Sequence, residues 1–574
     1  MIILAKIGDA QEPGLYARGT GGAAVSAAPE ATQAALDILR EGGNAADAAI
    51  AAALVLAVVH PQAGNLGGGG FAVAKFGRDI HALDFREVAP AAATPDMYID
   101  ENGEPKPDAS LIGGLAVGVP GTPAGLAALH EKLGKRPWRS LITPAAKLAI
   151  QGFDVSERLH RDLSIHEKTL GQFQETANLW YPDGSAIRAG TRISLPELGG
   201  ALNQYARFGP RGLSEGKYAE MIVDTCRRYG GIMTLEDLSS YQPKWREPVR
   251  FKAWDWEVAC MPLPSSGGLI LAETTGILSR LDWNRLPAGS PLKYHLMIEA
   301  WRQAYADRFH LGDPERLPWN PSDLLDPEWL SKRAASLEKD HAGRSEAVHP
   351  YEGAVRAESM ETTHLSVADA EGNLVAMTIT LNGSFGSGLV VAGGGFFLNN
   401  EMDDFATVPG QPNLYGLIQG EENAVGPGRR MLSSMSPTLL WNKDREYAFG
   451  SPGGSRIPTT VFQVLAGIVS DGLDLDQAIR RGRIHHQWLP DLVQAEGERL
   501  EEDALSDLKK DFGHEIETVE SMGEVHGVGW DGTTFEAAAD IRGPGSAGVV
   551  SDRAGTEMSG NAANGPVFGE TMAQ

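Results

Sequence analysis

Thr362, in Glu361-Thr362-Thr363-His364, stands at the start of a segment that alternates apolar and polar residues. A threonine hydroxyl is a poor nucleophile at neutral pH. An N-terminal threonine carries its own base, the α-amino group, with a pKa near about 8. Position 362 is internal, so this chemistry requires a cut between Glu361 and Thr362 first. A second hydroxyl is placed beside it by register. Thr363 to Ala368 and Leu374 to Leu381 read as strands about Asp369-Ala370-Glu371-Gly372-Asn373, and a turn centred on Glu371 puts Thr380 opposite Thr362. His364 shares the face of Thr362 two residues along the strand, at about 7 Å, so a packing role is expected for it rather than that of a general base. In Gly450-Ser451-Pro452-Gly453-Gly454-Ser455, the adjacent N–H groups of Gly453 and Gly454 can point at a developing oxyanion.

These groups need a frame. Pro29 to Glu41 and Asn44 to about Val59 predict a helical hairpin broken at Gly42-Gly43, followed by short strands over Phe71 to Phe76 and His81 to Phe85. Gly67 to Gly70 lacks the strand and helix context of a phosphate loop, so close backbone packing is expected there. From about Ala89 to Leu337 the pattern is mostly helical. Glu338 to Glu358 is charged and poor in apolar residues, and is expected to form an exposed, mobile linker running to 361. The stretch from about 543 to 574, rich in Gly, Ala and Ser, is expected to be a frayed tail.

Composition narrows the function classes. The 574 residues carry a formal charge of -25, which disfavours nucleic acid and anionic membranes and leaves a small-molecule substrate as the expectation. Ala48 to Val59 is too short to span a bilayer, and Met1 to Ala5 is too short for a signal-peptide core, so as written the chain is expected to be cytoplasmic, or exported if its natural start lies upstream. Cys226 and Cys260 read as two buried thiols, and His485-His486 lacks a third ligand at metal spacing, so no metal or organic cofactor is expected.

The stretches DILREGGNAADAAIA, HPQAGNLGGGGF, DFREVAP, PLPSSGG, AYADR, TTHLSV, LNNEMDDF, MLSSMSP, GSPGGSRI and HHQWLPD occur in the order found in gamma-glutamyltranspeptidases, and the chain resembles that family from roughly Ala24 to Gly543. The resemblance implies an α+β, four-layer αββα Ntn-hydrolase sandwich made of two autoproteolytic subunits, residues 1–361 and 362–574. It implies that Thr362 forms a γ-glutamyl ester, resolved by water or an amine acceptor, and that Thr380 hydrogen-bonds its amino group or hydroxyl. It assigns Arg86, Ser433 and Ser434 to the α-carboxylate of a glutathione-like donor, and Asn382, Glu401 and Asp404 to its ammonium. Position 401 is Glu here where other members carry Gln, a change expected to alter pH dependence rather than abolish binding. Pro409 to Arg430 resembles the family's lid loop, with Tyr415 as the wall of the donor site.

Two other readings stand beside this one. A related Ntn acylase acting on glutaryl or cephalosporin-type amides would leave Glu401 and Asp404 unpaired in the pocket, a penalty of roughly 1–3 kcal/mol or more. An unprocessed protein that binds γ-glutamyl ligands without turnover would remain a single intact chain.

Overall fold

The computed structural model describes residues 14–350, 357–358, 362–407, 416–417, 420–500 and 502–551. Two seven-stranded sheets lie face to face. The first runs Ser546–Val549, Gly22–Ser26, Thr363–Asp369, Leu374–Thr380, Gly69–Phe76, Asp79–Asp84 and Lys244–Arg246, antiparallel throughout. The second runs Tyr16–Gly19, Phe535–Ala539, His526–Trp530, Glu446–Gly450, Thr438–Trp441, Trp256–Cys260 and Val249–Ala253, again antiparallel. Period-two alternation decides which side each strand residue serves. Phe71 and Val73 join Leu439, Ala448 and Val528 between the sheets, whereas Ala72 and Ala74 face the helical layer that holds Pro29–Arg40 and Ala45–Val59. Helices Gly267–Leu278, Pro291–Asp307 and Arg456–Val469 pack on the other side of the second sheet. The layers are therefore helix, sheet, sheet, helix, as the sequence leads one to expect.

Each sheet mixes strands from before and after position 362. The hairpin Thr363–Asp369/Leu374–Thr380 lies between Gly22–Ser26 and Gly69–Phe76. Asp369 fixes its turn: one carboxylate oxygen accepts from the N–H groups of Glu371 and Asn373, and the other from Ala45 N at a helix start. The resulting pairs, Thr363 with Ile379 and His364 with Thr378, continue to Thr362 opposite Thr380, the register expected from the turn.

Two expectations need correction, and a third has an exception. The span from about Ala89 to Leu337 is mostly helical, but within it Lys244–Arg246, Val249–Ala253 and Trp256–Cys260 are strands, and the last pairs with Thr438–Trp441, almost two hundred residues away. The linker is exposed at 338–341, as expected, but is anchored further on. Ser345 is buried, its N–H donates to Asp491 at 2.7 Å, and its carbonyl accepts from Trp488 Nε1 at 2.8 Å. The tail does not fray at 543, because Ser546–Val549 is an edge strand of the first sheet. Gly548 packs close on Leu36, whose Cδ1 a Cβ would approach to 2.6 Å. Cys226 and Cys260 are free and buried, as expected. Among the described residues no helix is long and apolar enough to cross a membrane.

The glycine run is a packing device. A Cβ on Gly68 would sit 2.1 Å from the Thr380 carbonyl oxygen, and one on Gly70 would sit 2.3 Å from that of Thr378. Backbone cannot yield as a flexible side chain can. The variant Gly68→Ala is expected to lose about 1–3 kcal/mol of stability, read as a lower denaturant midpoint, and to slow any chemistry at Thr362 by displacing Thr380.

Candidate active site

Thr362 and His364 point into the space between the sheets. His364 is fully buried, with Nδ1 at 2.8 Å from Thr378 Oγ1 and Nε2 at 3.0 Å from Ser366 Oγ. Burial pushes its pKa well below the ordinary histidine value, so it is a neutral packing group, as expected. His485 and His486 are likewise tied into the core, through Thr459 and Asp491.

Where the strand ends of both sheets converge, a cleft of about 310 Å³ is lined by Arg86, Arg308, Thr362, Thr380, Asn382, Glu401, Asp404, Ser433, Ser434, Met435, Gly454 and Ile457. Nine of the residues singled out in the sequence line it. Gly453 is next to Gly454, and both adopt positive φ, +131° and +54°. No carbonyl among the described residues accepts from either N–H in a turn or loop bond. Glu361 and Tyr415 lie outside the described residues. The lid segment is described only in part: Gly416–Leu417 pairs with Ala357–Glu358, and Asn423 anchors its far end by donating to Asp404 O at 2.7 Å and accepting from Leu432 N at 2.9 Å.

Local bonding explains the placement of each side chain. Thr380 Oγ1 accepts from Asn382 N at 2.8 Å, and its carbonyl accepts from Asn65 Nδ2 at 2.8 Å. Asn382 takes a left-handed backbone, φ +72°, and its side chain donates to Asn400 O at 3.0 Å. Asn399 clamps the acidic loop, accepting from Glu401 N and donating to the carbonyls of Gly67 and Gly118. Ser433 is held by the Pro264-Ser265-Ser266 turn: its N–H donates to Pro264 O, and its carbonyl accepts from both the N–H and the hydroxyl of Ser266, each at 2.8 Å.

Arg86 is buried and held from behind, its carbonyl accepting from Tyr241 Oη at 2.8 Å and Arg430 Nη1 at 3.0 Å. Its guanidinium contacts Glu401 through Nη1 and Asp404 through Nη2. The cation expected to take a carboxylate is therefore paired with the acids expected to take an ammonium. A zwitterion entering between them would exchange one set of ion pairs for two.

Sequence reading missed Glu87 and Arg308, although both lie in motifs it had noted, DFREVAP and AYADR. Glu87 is fully buried, and neither its carboxylate oxygens nor Glu401 Oε2 has a hydrogen-bond donor among the described residues. The two carboxyls are close enough for each to act on the other's ionisation. Burial pushes the Glu87 carboxyl up to about 7 against the pull of Arg86, and burial with the neighbouring carboxylates raises Glu401 well above the carboxylate range. Glycine makes room for this pair, since a Cβ on Gly69 would lie 2.5 Å from Glu87 Oε2.

The family description Gamma-glutamyltranspeptidase matches residues 31–550. A glutathione hydrolase proenzyme of Escherichia coli K12 is 40% identical over 529 residues, spanning 91% of this chain and 90% of that protein. Among solved structures, a cephalosporin acylase from Bacillus halodurans superposes with a TM-score of 0.82 at 25% identity, covering 95% of this chain and 99% of the acylase. The gamma-glutamyltranspeptidase of Helicobacter pylori gives a TM-score of 0.56 at 35% identity, over 62% of this chain and 99% of that one.

The raised acid pair has a sign. A carboxyl with folded pKa above its free value of 4.5 adds stability below that value and loses it as pH rises through about 7. Glu87→Gln cannot ionise, so urea denaturation at pH 5 and pH 8 is expected to show the variant gaining on the wild type by on the order of 1–3 kcal/mol with rising pH. Parallel pH dependence would mean that Glu87 is ionised throughout.

Proposed function

The chain belongs to the gamma-glutamyltranspeptidase family, and from that premise and the cleft we propose that it cuts itself before Thr362 and then acts as a glutathione hydrolase and γ-glutamyltransferase. The observation that carries this reading is the convergence in one cleft of Thr362, Thr380 and Gly454 with a guanidinium, two acids and a serine pair. A γ-glutamyl donor presents a carbonyl to attack, an α-carboxylate and an α-ammonium. The cleft offers a group for each.

In this reading the Thr362 hydroxyl first attacks the Glu361 carbonyl, the peptide nitrogen leaves, and water hydrolyses the ester. The products are residues 1–361 and a second chain with a free α-amine on Thr362. Interleaved strands in both sheets would keep the two chains together as a heterodimer. In turnover the α-amine takes the Thr362 hydroxyl proton as Oγ attacks the γ-carbonyl carbon. The oxyanion receives N–H bonds from Gly453 and Gly454, typically worth about 3 kcal/mol per donor. The intermediate collapses as the leaving amine takes the proton, giving a γ-glutamyl ester on Thr362. Water or an amine acceptor then attacks the ester, its proton passing to the α-amine, and Thr362 leaves. Thr380, whose hydroxyl accepts from Asn382 N, can turn its own proton toward Thr362.

Arg86, Ser433 and Ser434 would bind the α-carboxylate, with Asn382, Glu401 and Asp404 on the α-ammonium. Those acids favour a γ-glutamyl over a glutaryl donor, because a glutaryl group lacks the ammonium and would take Arg86 from its partners without compensation.

Purified protein is expected to run as two chains on a denaturing gel, with masses meeting at Glu361/Thr362, and to release anilide from γ-glutamyl p-nitroanilide. Thr362→Ala is expected to stay intact and inactive. Arg86→Lys is expected to be cut normally but to raise KM by roughly 10–100-fold, because an ammonium cannot reproduce the two-pronged contact. A wild-type chain that stays intact and releases nothing would leave the binding-protein reading in its place.

A further inference from the structure

Arg308 is a buried guanidinium in the wall of the cleft that no step above uses. It ends the helical segment Pro291–Asp307/Arg308–His310 and reaches two serines. Its Nη2 donates to Ser434 Oγ at 3.2 Å, and its Nε donates to Ser266 Oγ at 2.9 Å. Ser266 Oγ passes its own proton to the Ser433 carbonyl at 2.8 Å. One arginine thus holds the serine pair at two points, Ser434 through its hydroxyl and Ser433 through its backbone.

The direction of these bonds matters more than their number. A guanidinium can only donate, so Ser434 Oγ must accept from Arg308, and its hydrogen is turned away from the arginine. Ser433 is arranged in the same sense, because its Oγ accepts from Met435 N at 3.2 Å. Both hydroxyls line the cleft with a donor at their backs. A pair of hydroxyls fixed in this way presents hydrogens, the polarity a carboxylate needs. A second cation close to Ser434 also favours an anion there, and the charge of Arg308 counteracts the rise at Asp404 caused by burial.

We propose that Arg308 is the positioning residue of the α-carboxylate subsite: it forces the Ser433–Ser434 hydroxyls into donor orientation and makes the cleft selective for donors with a free α-carboxylate. This rests on the γ-glutamyl reading above. Its role is to orient, without touching the reacting atoms.

The test compares γ-glutamyl p-nitroanilide with its analogue bearing an α-carboxamide, on processed wild type, Arg308→Gln, Arg308→Lys, Ser434→Ala and the double variant Arg308→Gln/Ser434→Ala. With the carboxylate donor, Arg308→Gln is expected to raise KM roughly 10–50-fold while kcat stays within about 3-fold, with partial recovery in Arg308→Lys. With the carboxamide the KM of wild type and variant should agree within about 2-fold, and in the Ser434→Ala background the arginine change should add less than about 3-fold. Equal losses on both donors, or full additivity with Ser434→Ala, would reduce Arg308 to a structural residue and overturn the proposal. Should Arg308→Gln fail to fold or cleave, the ratio of the two KM values in Arg308→Lys decides alone. A wild type that releases no anilide would overturn the donor reading and this inference together, whereas an active wild type with no donor selectivity at Arg308 would overturn only the inference.

Discussion

The register of one hairpin carries the site. Asp369 ties its turn to the N-terminus of the Ala45–Val59 helix, and the antiparallel pairing that follows brings Thr380 opposite Thr362. A slip of one residue would send Thr362 to the other face of the sheet, into the helical layer. The glycines at 68 and 70 seat the next strand against that register, since each approaches a hairpin carbonyl, of Thr380 and Thr378, more closely than any side chain allows. Flanking strands from the first half of the chain clamp the hairpin on both edges. The geometry of the cleft is thus a consequence of backbone pairing, and it would survive a cut at 361/362 because strands of the first half are hydrogen-bonded to both edges of the hairpin.

A second constraint is electrostatic. Arg86 is buried among Glu87, Glu401 and Asp404, so three acids surround one cation. Full ionisation would leave excess negative charge in a dry site, which is why Glu87 and Glu401 both resist ionising. In the proposed reading, the carboxylate and ammonium of a zwitterionic donor would replace the internal pair charge for charge. Asp84 supports it from outside the cleft, bonded to Arg430 and Arg246 and to the Arg86 N–H.

Much of this was legible in the sequence where the signal is local. The turn Asp369 to Asn373 contains the residues that fix its own register, and the helical hairpin is marked by Gly42 and by Asn44, which caps the second helix through Asp47. Signals failed where the partner is distant. Trp256–Cys260 is held in its sheet by Thr438–Trp441, a partner that no local window shows, and Val249–Ala253 pairs with it as the edge strand. Ser546–Val549 has the composition of a tail, yet it pairs with Gly22–Ser26, more than five hundred residues away. Ser345 sits in a charged stretch that reads as a linker, but Asp491, Arg302 and Trp488 bind it down. Arg308 acts through Ser434 and Ser266, so its meaning appears only once the three are seen together.

The central claim is that Thr362, freed as an N-terminus, becomes acylated. Its most direct test is to quench the enzyme during turnover of a γ-glutamyl anilide without acceptor, at acid pH, and map the adduct by mass spectrometry. The account predicts one glutamyl group, as a hydroxylamine-labile ester, on the peptide that begins at Thr362. An adduct on any other residue, or turnover with no adduct on that peptide while the ester is stable to the quench, would contradict it.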